Sequence, residues 1–351
     1  VASAKTASRA RLKEPDNRRA FQSGLVDWFS RSGRDLPWRR TRDPYAILVS
    51  EFMLQQTQVA TVKAYYERWL TRFPDVRALA AAAPEEVLRA WEGLGYYARA
   101  RNLHRAARQI VDQHGGAFPR DVARIAELPG VGRYTAGAVA SFAFDMPAPI
   151  VDANIARVLA RIIKLELPID TATGQRALWA AAEELLPAEN ARLYNSALME
   201  LGATLCLPRQ PQCLICPVLR FCAAAPHGPE RLPIKRDRPA TIELEENCAW
   251  SVSGAGLLLR QEVGTRWRGM WKLPPLIGAP LGEQTPAFET IYPFTNHRIT
   301  LRVFAAPAPP MPGDHQAWHP ISQLDQLAMP APHRRAVRLL LEVPQGEGAP
   351  Y

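Results

Sequence analysis

The segment LPGVGRYTAG, residues 128–137, packs a proline and two glycines into five residues and then runs straight into small helix-forming residues. Leu128 closes an apolar run, Pro129 cannot continue a helix, and Gly130 and Gly132 permit positive φ or close backbone approach. The chain beyond Arg133 holds few obstacles to helix. The stretch therefore reads as helix, hairpin, helix, with the amides of Gly130, Val131 and Gly132 free at the start of the second helix. Free amides in that position attract an anion such as a DNA phosphate. A plain connection between two helices is the alternative reading.

The pattern on both sides is helical from about Asn17 to Phe221. Asp43 and Pro44 look like an N-cap and first helical position ahead of Tyr45, Ile47, Leu48 and Phe52. A helix from near Thr57 aligns Val59, Val62, Tyr66 and Leu70 on one face and ends at Pro74. Further helices are expected over 84–92, 98–115, 121–128, 133–144, 153–163, 174–186 and 194–205. Residues 223–246, rich in proline and charge, read as a linker. Beyond it, CAWSVSGAGLLLR and ETIYPFTNHRITLRVFAA carry the β-branched and aromatic residues of strands, and PHRRAVRLLLEV closes as a helix. The expected architecture is a mainly α part followed by a smaller α+β domain over 247–345, with a basic flexible arm at 1–16. At 351 residues the chain suits two or three domains of about 100–200 residues each.

The formal net charge of +9 favours a polyanionic partner. Arginines at 31, 34, 39, 40 and 42 surround Pro37 and Trp38. Arg34, Trp38 and Arg39 are accordingly expected to contact phosphate and stack on a base. No apolar run approaches the roughly 20 residues needed to span a bilayer, and the first residues are basic without an apolar core. A cytoplasmic protein with no membrane partner is expected.

Four of the five cysteines lie in CLPRQPQCLICPVLRFC, at Cys206, Cys213, Cys216 and Cys222. Disulfides are not expected in a cytosolic chain, so the run reads as a metal centre. Only one CxxC pair is present, which weakens zinc, whereas four thiolates on one short loop suit an iron–sulfur cube. Unliganded cysteines are the alternative. Cys248 reads as a core thiol.

Two carboxylates stand out. Glu51 in AILVSEFMLQQTQV has Ile47, Leu48 and Leu54 as helical neighbours, so burial is expected to raise its pKa and make it a proton donor. A glutamate reaching solvent from a helix end is the alternative. Asp152 in PAPIVDANIARVLARI falls at an N-cap, where helix amides are expected to lower its pKa. One carboxylate pushed up and one pushed down suit acid-catalysed glycosidic cleavage through a cationic sugar. Gln55, Gln56 and Thr57 sit at a helix break beside Glu51, where exposed amides can meet base edges or wedge into a stack. Tyr96 and Tyr97 lie at a second break among glycines and arginines; Tyr97 reads as a packing residue.

The segments SEFMLQQTQVATV, GLGYYARARNL, LPGVGRYTAGAV, VDANIARVLAR and the four-cysteine loop together resemble the MutY family of adenine DNA glycosylases, in the helix-hairpin-helix superfamily that includes endonuclease III. They span most of residues 36–222 in the family's order. The resemblance implies two helical lobes, 36–142 and 17–35 with 143–222, with double-stranded DNA bound between them, a 4Fe–4S cluster on 206–222, and a monomer. It implies excision of adenine mispaired with 8-oxoguanine or guanine. Glu51 matches the acid that protonates adenine N7, and Asp152 the carboxylate that stabilises or traps the oxocarbenium ion. Asn154 matches a group holding that aspartate, Tyr134 a position near the pocket, and Tyr96 and Gln56 residues that wedge the duplex while adenine is flipped out.

RWRGMWKLPP resembles a segment of the family's C-terminal Nudix-like domain, which recognises 8-oxoguanine on the other strand. The run FTNHRIT takes the place of the family's Phe-Ser-His, so Phe294, Thr295 and His297 are the expected contacts. Thr295 replaces the serine, and Asn296 stands at the histidine position. Ala156 stands where some members carry lysine. The rival reading is a bifunctional glycosylase and lyase of endonuclease III type, which needs an amine nucleophile after the hairpin. Tyr134 occupies that position, and no lysine lies between Gly130 and Asp152. A catalytically silent iron–sulfur DNA-binding protein is the rival from another class.

Overall fold

The computed structural model describes residues 12–237, 239–254, 256–276 and 284–342. Most of the expected arm and residues 343–345 lie outside the described residues. Residues 12–16 are not an arm: Leu12 is buried, and the first described helix, α1 (Pro15–Ser32), starts at Pro15.

Contacts divide the chain into one unit of Val1–Arg77 with Arg105–Asp237 and a second of Ala78–His104 with Arg238–Tyr351. In the first, α2 (Pro44–Leu54) begins as expected, with Asp43 accepting the Tyr45 amide at 3.0 Å ahead of Pro44. Residues 45–53 are all buried, so α2 is apolar all round and threads the core rather than lying on it. It packs on α3 (Val59–Arg72) and on a second buried helix, α8 (Arg133–Phe144). Small residues let α8 sit close to its neighbours: a Cβ on Gly137 would stand 2.5 Å from the Pro149 carbonyl.

Between α3 and α8 come α4 (Val76–Ala81), α5 (Pro84–Ala90), α6 (Ala98–His114) and α7 (Val122–Ala126), with α6 shared between the units. After α8 come α9 (Ala153–Ile162), α10 (Ala172–Leu185) and α11 (Ala191–Thr204). They close with α1 around Phe21, Leu25, Leu159, Leu178, Leu198 and Phe221. Phe21 meets the rings of Tyr194 and Phe221 edge-on, and burying a side chain of this kind contributes about 1.5–3 kcal/mol.

The expected linker is partly docked. Residues 225–231 form two short 3₁₀ turns, Ala224 and Leu232 are buried, and Arg161 Nε donates to the Leu232 carbonyl at 3.0 Å. The α+β part then begins with β1 (Ile242–Trp250), not at residue 247. Strand β1 runs parallel to β6 (His297–Ala305), whose other edge pairs antiparallel with β5 (Phe288–Phe294). A second sheet centres on β3 (Gly256–Gln261), paired antiparallel with β2 (Val252–Ser253), β4 (Trp271–Lys272) and β7 (Gln316–Pro320). Helix α12 (Ala331–Glu342) completes a core containing Cys248, Leu257, Leu301, Met329 and Val337. Residues 78–104 join this unit, where Arg334 pairs with Glu92 at 2.8 Å and Arg101 donates to the carbonyls of Thr265 and Arg268. The expected boundary, which kept 78–104 with the helical part, is corrected by these contacts.

Candidate active site

A cavity of about 600 Å³ in the first unit gathers Glu51, Tyr134, Asp152 and Asn154, together with Gln55, Gln56 and Thr57. Three local events place them. Helix α2 buries Glu51, α8 starts at the hairpin and presents Tyr134 on its first turn, and α9 starts at Asp152. Close approach of α11 to the start of α9 depends on Gly202, where a Cβ would stand 2.8 Å from Asn154 Cβ.

Glu51 is 4% exposed, and burial pushes its pKa up to about 7. A hydrogen bond with the Tyr134 phenol pulls it down, and the neighbouring Asp152 charge pushes it up again. The solvent-reaching alternative is thereby excluded. Asp152 departs from expectation. Its Oδ1 accepts the Ile155 amide at 2.7 Å and its Oδ2 the Asn154 side chain at 3.3 Å, yet its pKa is raised. Burial is the largest influence and outweighs these donors and the Arg157 charge. Asp152 does cap α9, but desolvation reverses the sign of the expected pKa shift.

Arg157, unremarked in the sequence, organises this corner. It donates to Asn154 Oδ1 at 2.9 Å, to the Gly202 carbonyl at 2.6 Å and, through Nε, to the Cys206 carbonyl at 2.8 Å. One guanidinium thus ties the residue that holds Asp152 to the backbone of the cysteine loop. Four residues on, Arg161 is 1% exposed and donates to Cys206 Sγ at 3.2 Å and to the carbonyls of Leu207 and Pro208. The available signal was two arginines at i, i+4, which share one face of VDANIARVLARI opposite Ile155, Val158, Leu159 and Ile162.

The arginine-rich segment also differs from expectation. Arg34 and Arg39 line the cavity, but both guanidinium groups pair with Glu200, at 2.7 and 2.8 Å, and that side chain is wholly buried. Trp38 is buried in the cavity wall, where its ring meets that of Tyr66 at 5.6 Å and near a right angle. The Glu200 pairing fixes Arg34 and Arg39 in the cavity wall beside Trp38, and the Arg34 side chain stays 41% exposed.

Gly130, Val131 and Gly132 lie outside this cavity lining. Gly130 has φ +77°, as the tight turn requires. The Val131 amide is not free: it donates to the Leu128 carbonyl at 3.0 Å. Gly132 is the N-cap of α8 without a side-chain cap, and a Cβ there meets nothing within 4 Å. The hairpin therefore presents an open backbone surface. Gln56 is exposed with φ +56°, a left-handed conformation uncommon for a residue with a side chain.

In the second unit Tyr96 is 43% exposed with φ +47°, and Tyr97 is buried as read. Tyr96 lines a smaller cavity with Trp267, Tyr292 and Phe294. Thr295, at φ +54°, donates to the Phe294 carbonyl at 2.7 Å and lies 3.2 Å from His297 Nδ1.

Cys206, Cys213, Cys216 and Cys222 are free thiols lining one apolar cavity with Val158, Leu201 and Val218. Burial raises the pKa of Cys213, Cys216 and Cys222, and neighbouring cysteine charges raise each further, so the thiols face a common space. Among the described residues no three His, Cys, Asp or Glu side chains close on a single metal ion. A cube takes one thiolate at each of four separate corners, so its donors stand wider apart than the ligands of one ion. The donor set fits such a cluster.

A carboxylate in the last turn of buried α2 and another at the start of α9, both facing one cleft beside a helix-hairpin-helix turn, define a base-excision repair fold. The description "HhH-GPD superfamily base excision DNA repair protein" matches residues 49–180. A solved structure of a thermostable thymine-DNA glycosylase aligns with TM-score 0.54 and 33% identity, over 60% of this chain and 96% of that one. Among curated relatives, the adenine DNA glycosylase of Mycobacterium tuberculosis (strain CDC 1551 / Oshkosh) is 45% identical over 59% of this chain and 68% of its own length. That of Mus musculus is 46% identical over 58% of this chain. The chain belongs to the adenine DNA glycosylase family. It spans less than half the length of the mouse and human relatives it matches, 42% and 39%. No described helix is long and apolar enough to cross a membrane.

Proposed function

We propose that the chain is a monofunctional adenine DNA glycosylase, which binds double-stranded DNA as a monomer and releases adenine opposite 8-oxoguanine or guanine. The observation that carries the reading is the pairing of Glu51 and Asp152 in one cavity, with Glu51 poised near neutral pH. A stacked adenine hides its glycosidic bond, so the base must leave the duplex to reach them. Protonated Glu51 then gives its proton to adenine N7, which makes the base a neutral leaving group. The C1′–N9 bond breaks, its electron pair goes to adenine, and the sugar is left as an oxocarbenium ion. Asp152, held by Asn154 and Ile155, meets that positive charge. Glu51, now ionised, takes a proton from the water that attacks C1′.

Tyr134 stands where a lyase needs an amine, and a phenol cannot form a Schiff base with the sugar. The backbone should therefore survive. Gln56 and Tyr96 serve as wedges, the open Gly130 to Gly132 turn receives a phosphate, and Phe294, Thr295 and His297 of a Nudix-like domain read the opposite 8-oxoguanine. Cys206, Cys213, Cys216 and Cys222 hold a 4Fe–4S cluster, which would bind 206–222 into one rigid loop.

Single-turnover assays on duplexes with adenine opposite 8-oxoguanine, guanine or thymine, and with thymine opposite guanine, test the reading. Adenine release opposite 8-oxoguanine with strand breaks only after alkali is expected. Breaks without alkali would point to a lyase, and preferential thymine release to the chemistry of the structural relative. Iron analysis should return about four irons per chain, and replacing Cys213 by serine should lower that figure. Zinc instead would reject the cluster. Arg157→Ala should slow adenine release about a hundredfold by loosening Asn154, with little change in duplex affinity. A rate within twofold of the parent would confine Arg157 to a structural role.

A further inference from the structure

The turn between β5 and β6 is narrow and strained. Phe294 pairs with His297, which leaves only Thr295 and Asn296 to reverse the chain. Thr295 does so at φ +54°, where a β-branched side chain is disfavoured. The hydrogen bonds of Thr295, to Phe294 and toward His297, are local, and the Asn296 carbonyl accepts the Ile242 amide of β1 at 2.9 Å, which anchors the backbone of the turn but not the Phe294 side chain.

Arg266 holds the Phe294 side chain. Its guanidinium carbon lies 3.8 Å from the centre of the Trp267 ring and 4.2 Å from that of Phe294. Its Nη2 donates to the Tyr292 phenol at 2.7 Å, and that phenol donates to Glu246 Oε2 at 2.7 Å. Glu246 is in turn paired with Lys272 at 3.2 Å. Arg266 Nε, although buried, has no hydrogen-bond partner among the described residues. Hydrogen bonding alone therefore does not account for where the guanidinium sits. The two aromatic faces do, through attraction between a cation and the ring quadrupoles. Arg266 thus locks Phe294 against Trp267, one residue before the strained Thr295, and ties the end of β5 to a carboxylate on β1.

We propose that Arg266 is a positioning residue that sets the Phe294 to His297 turn, and through it the preference for 8-oxoguanine over guanine opposite the adenine. This rests on the function proposed above. Arg266 reaches the turn through Phe294 and, earlier on the same strand, Tyr292, so its effect belongs to selectivity, not to the chemistry at Glu51 and Asp152.

The readout is the ratio of single-turnover rates of adenine release opposite 8-oxoguanine and opposite guanine. Arg266→Gln should lower this ratio about tenfold, because a neutral amide loses the attraction to both rings. Phe294→Leu should lower it by a similar factor, and the double variant no further, since one residue acts through the other. Arg266→Lys keeps a cation near the rings and should keep at least half of the ratio, which preserves the test if the glutamine variant folds poorly. An unchanged ratio in Arg266→Gln, or losses that multiply in the double variant, would overturn the proposal. A parent protein with no preference between the two duplexes would instead overturn the functional reading.

Discussion

Asp152→Asn should cut single-turnover adenine release by about a thousandfold or more while leaving duplex affinity nearly unchanged. The substitution isolates charge. An asparagine oxygen can still accept the Ile155 amide, and asparagine is as good an N-cap as aspartate, so the start of α9 should survive. What disappears is the negative charge facing the sugar as it becomes cationic. Removing one neutral donor from an oxyanion site costs about 2.7–4 kcal/mol of transition-state stabilisation, and a full countercharge in a partly buried cavity is worth at least as much. Because burial raises the Asp152 pKa, the ionised form is held at an unfavourable site and its charge is poorly screened. Single-turnover rates and equilibrium binding on the same adenine duplex separate the two effects. Unchanged release would reduce Asp152 to a helix cap.

The helical architecture and the two carboxylates were legible because they depend on local pattern. Asp43 and Pro44 announce α2, and the apolar neighbours of Glu51 announce its burial. What escaped is non-local. The N-cap argument for Asp152 counts amides within its own helix and omits the desolvation imposed by surrounding elements. Arg34 and Arg39 read as a phosphate site because Glu200, about 160 residues away in the chain, is invisible as their partner. The same holds for the unit boundary. Glu92 and Arg334 are 242 residues apart, and only the fold makes 78–104 part of the α+β unit. Arg157 was in plain view opposite the apolar face of α9, but its three acceptors come from Asn154, Gly202 and Cys206, which meet only when α9, α11 and the cysteine loop pack.

Glu51→Gln should abolish most activity and, at mildly alkaline pH, make the protein more stable. The acid must be protonated to act, and with a pKa of about 7 the parent rate should be level below neutrality and fall about tenfold per pH unit above it. At lower pH, protonation of Asp152, whose own pKa is raised, should bring the rate down again and give a bell-shaped profile. Glutamine cannot donate that proton, so a loss of about 10²–10⁴-fold and disappearance of the alkaline limb are expected. Stability moves the other way. Folding raises the Glu51 pKa from 4.5 to about 7, so the folded chain binds the proton more tightly than the unfolded one. The associated stability is complete below the unfolded pKa and is lost as pH rises through the folded one. Above that range the parent carries a buried carboxylate with a penalty of about 3 kcal/mol at most, which the neutral amide avoids. Denaturant unfolding of parent and variant should therefore diverge between pH 5 and 8, with the variant gaining as pH rises. A flat parent rate profile together with parallel stability curves would show that Glu51 ionises normally and would remove it as the proton donor.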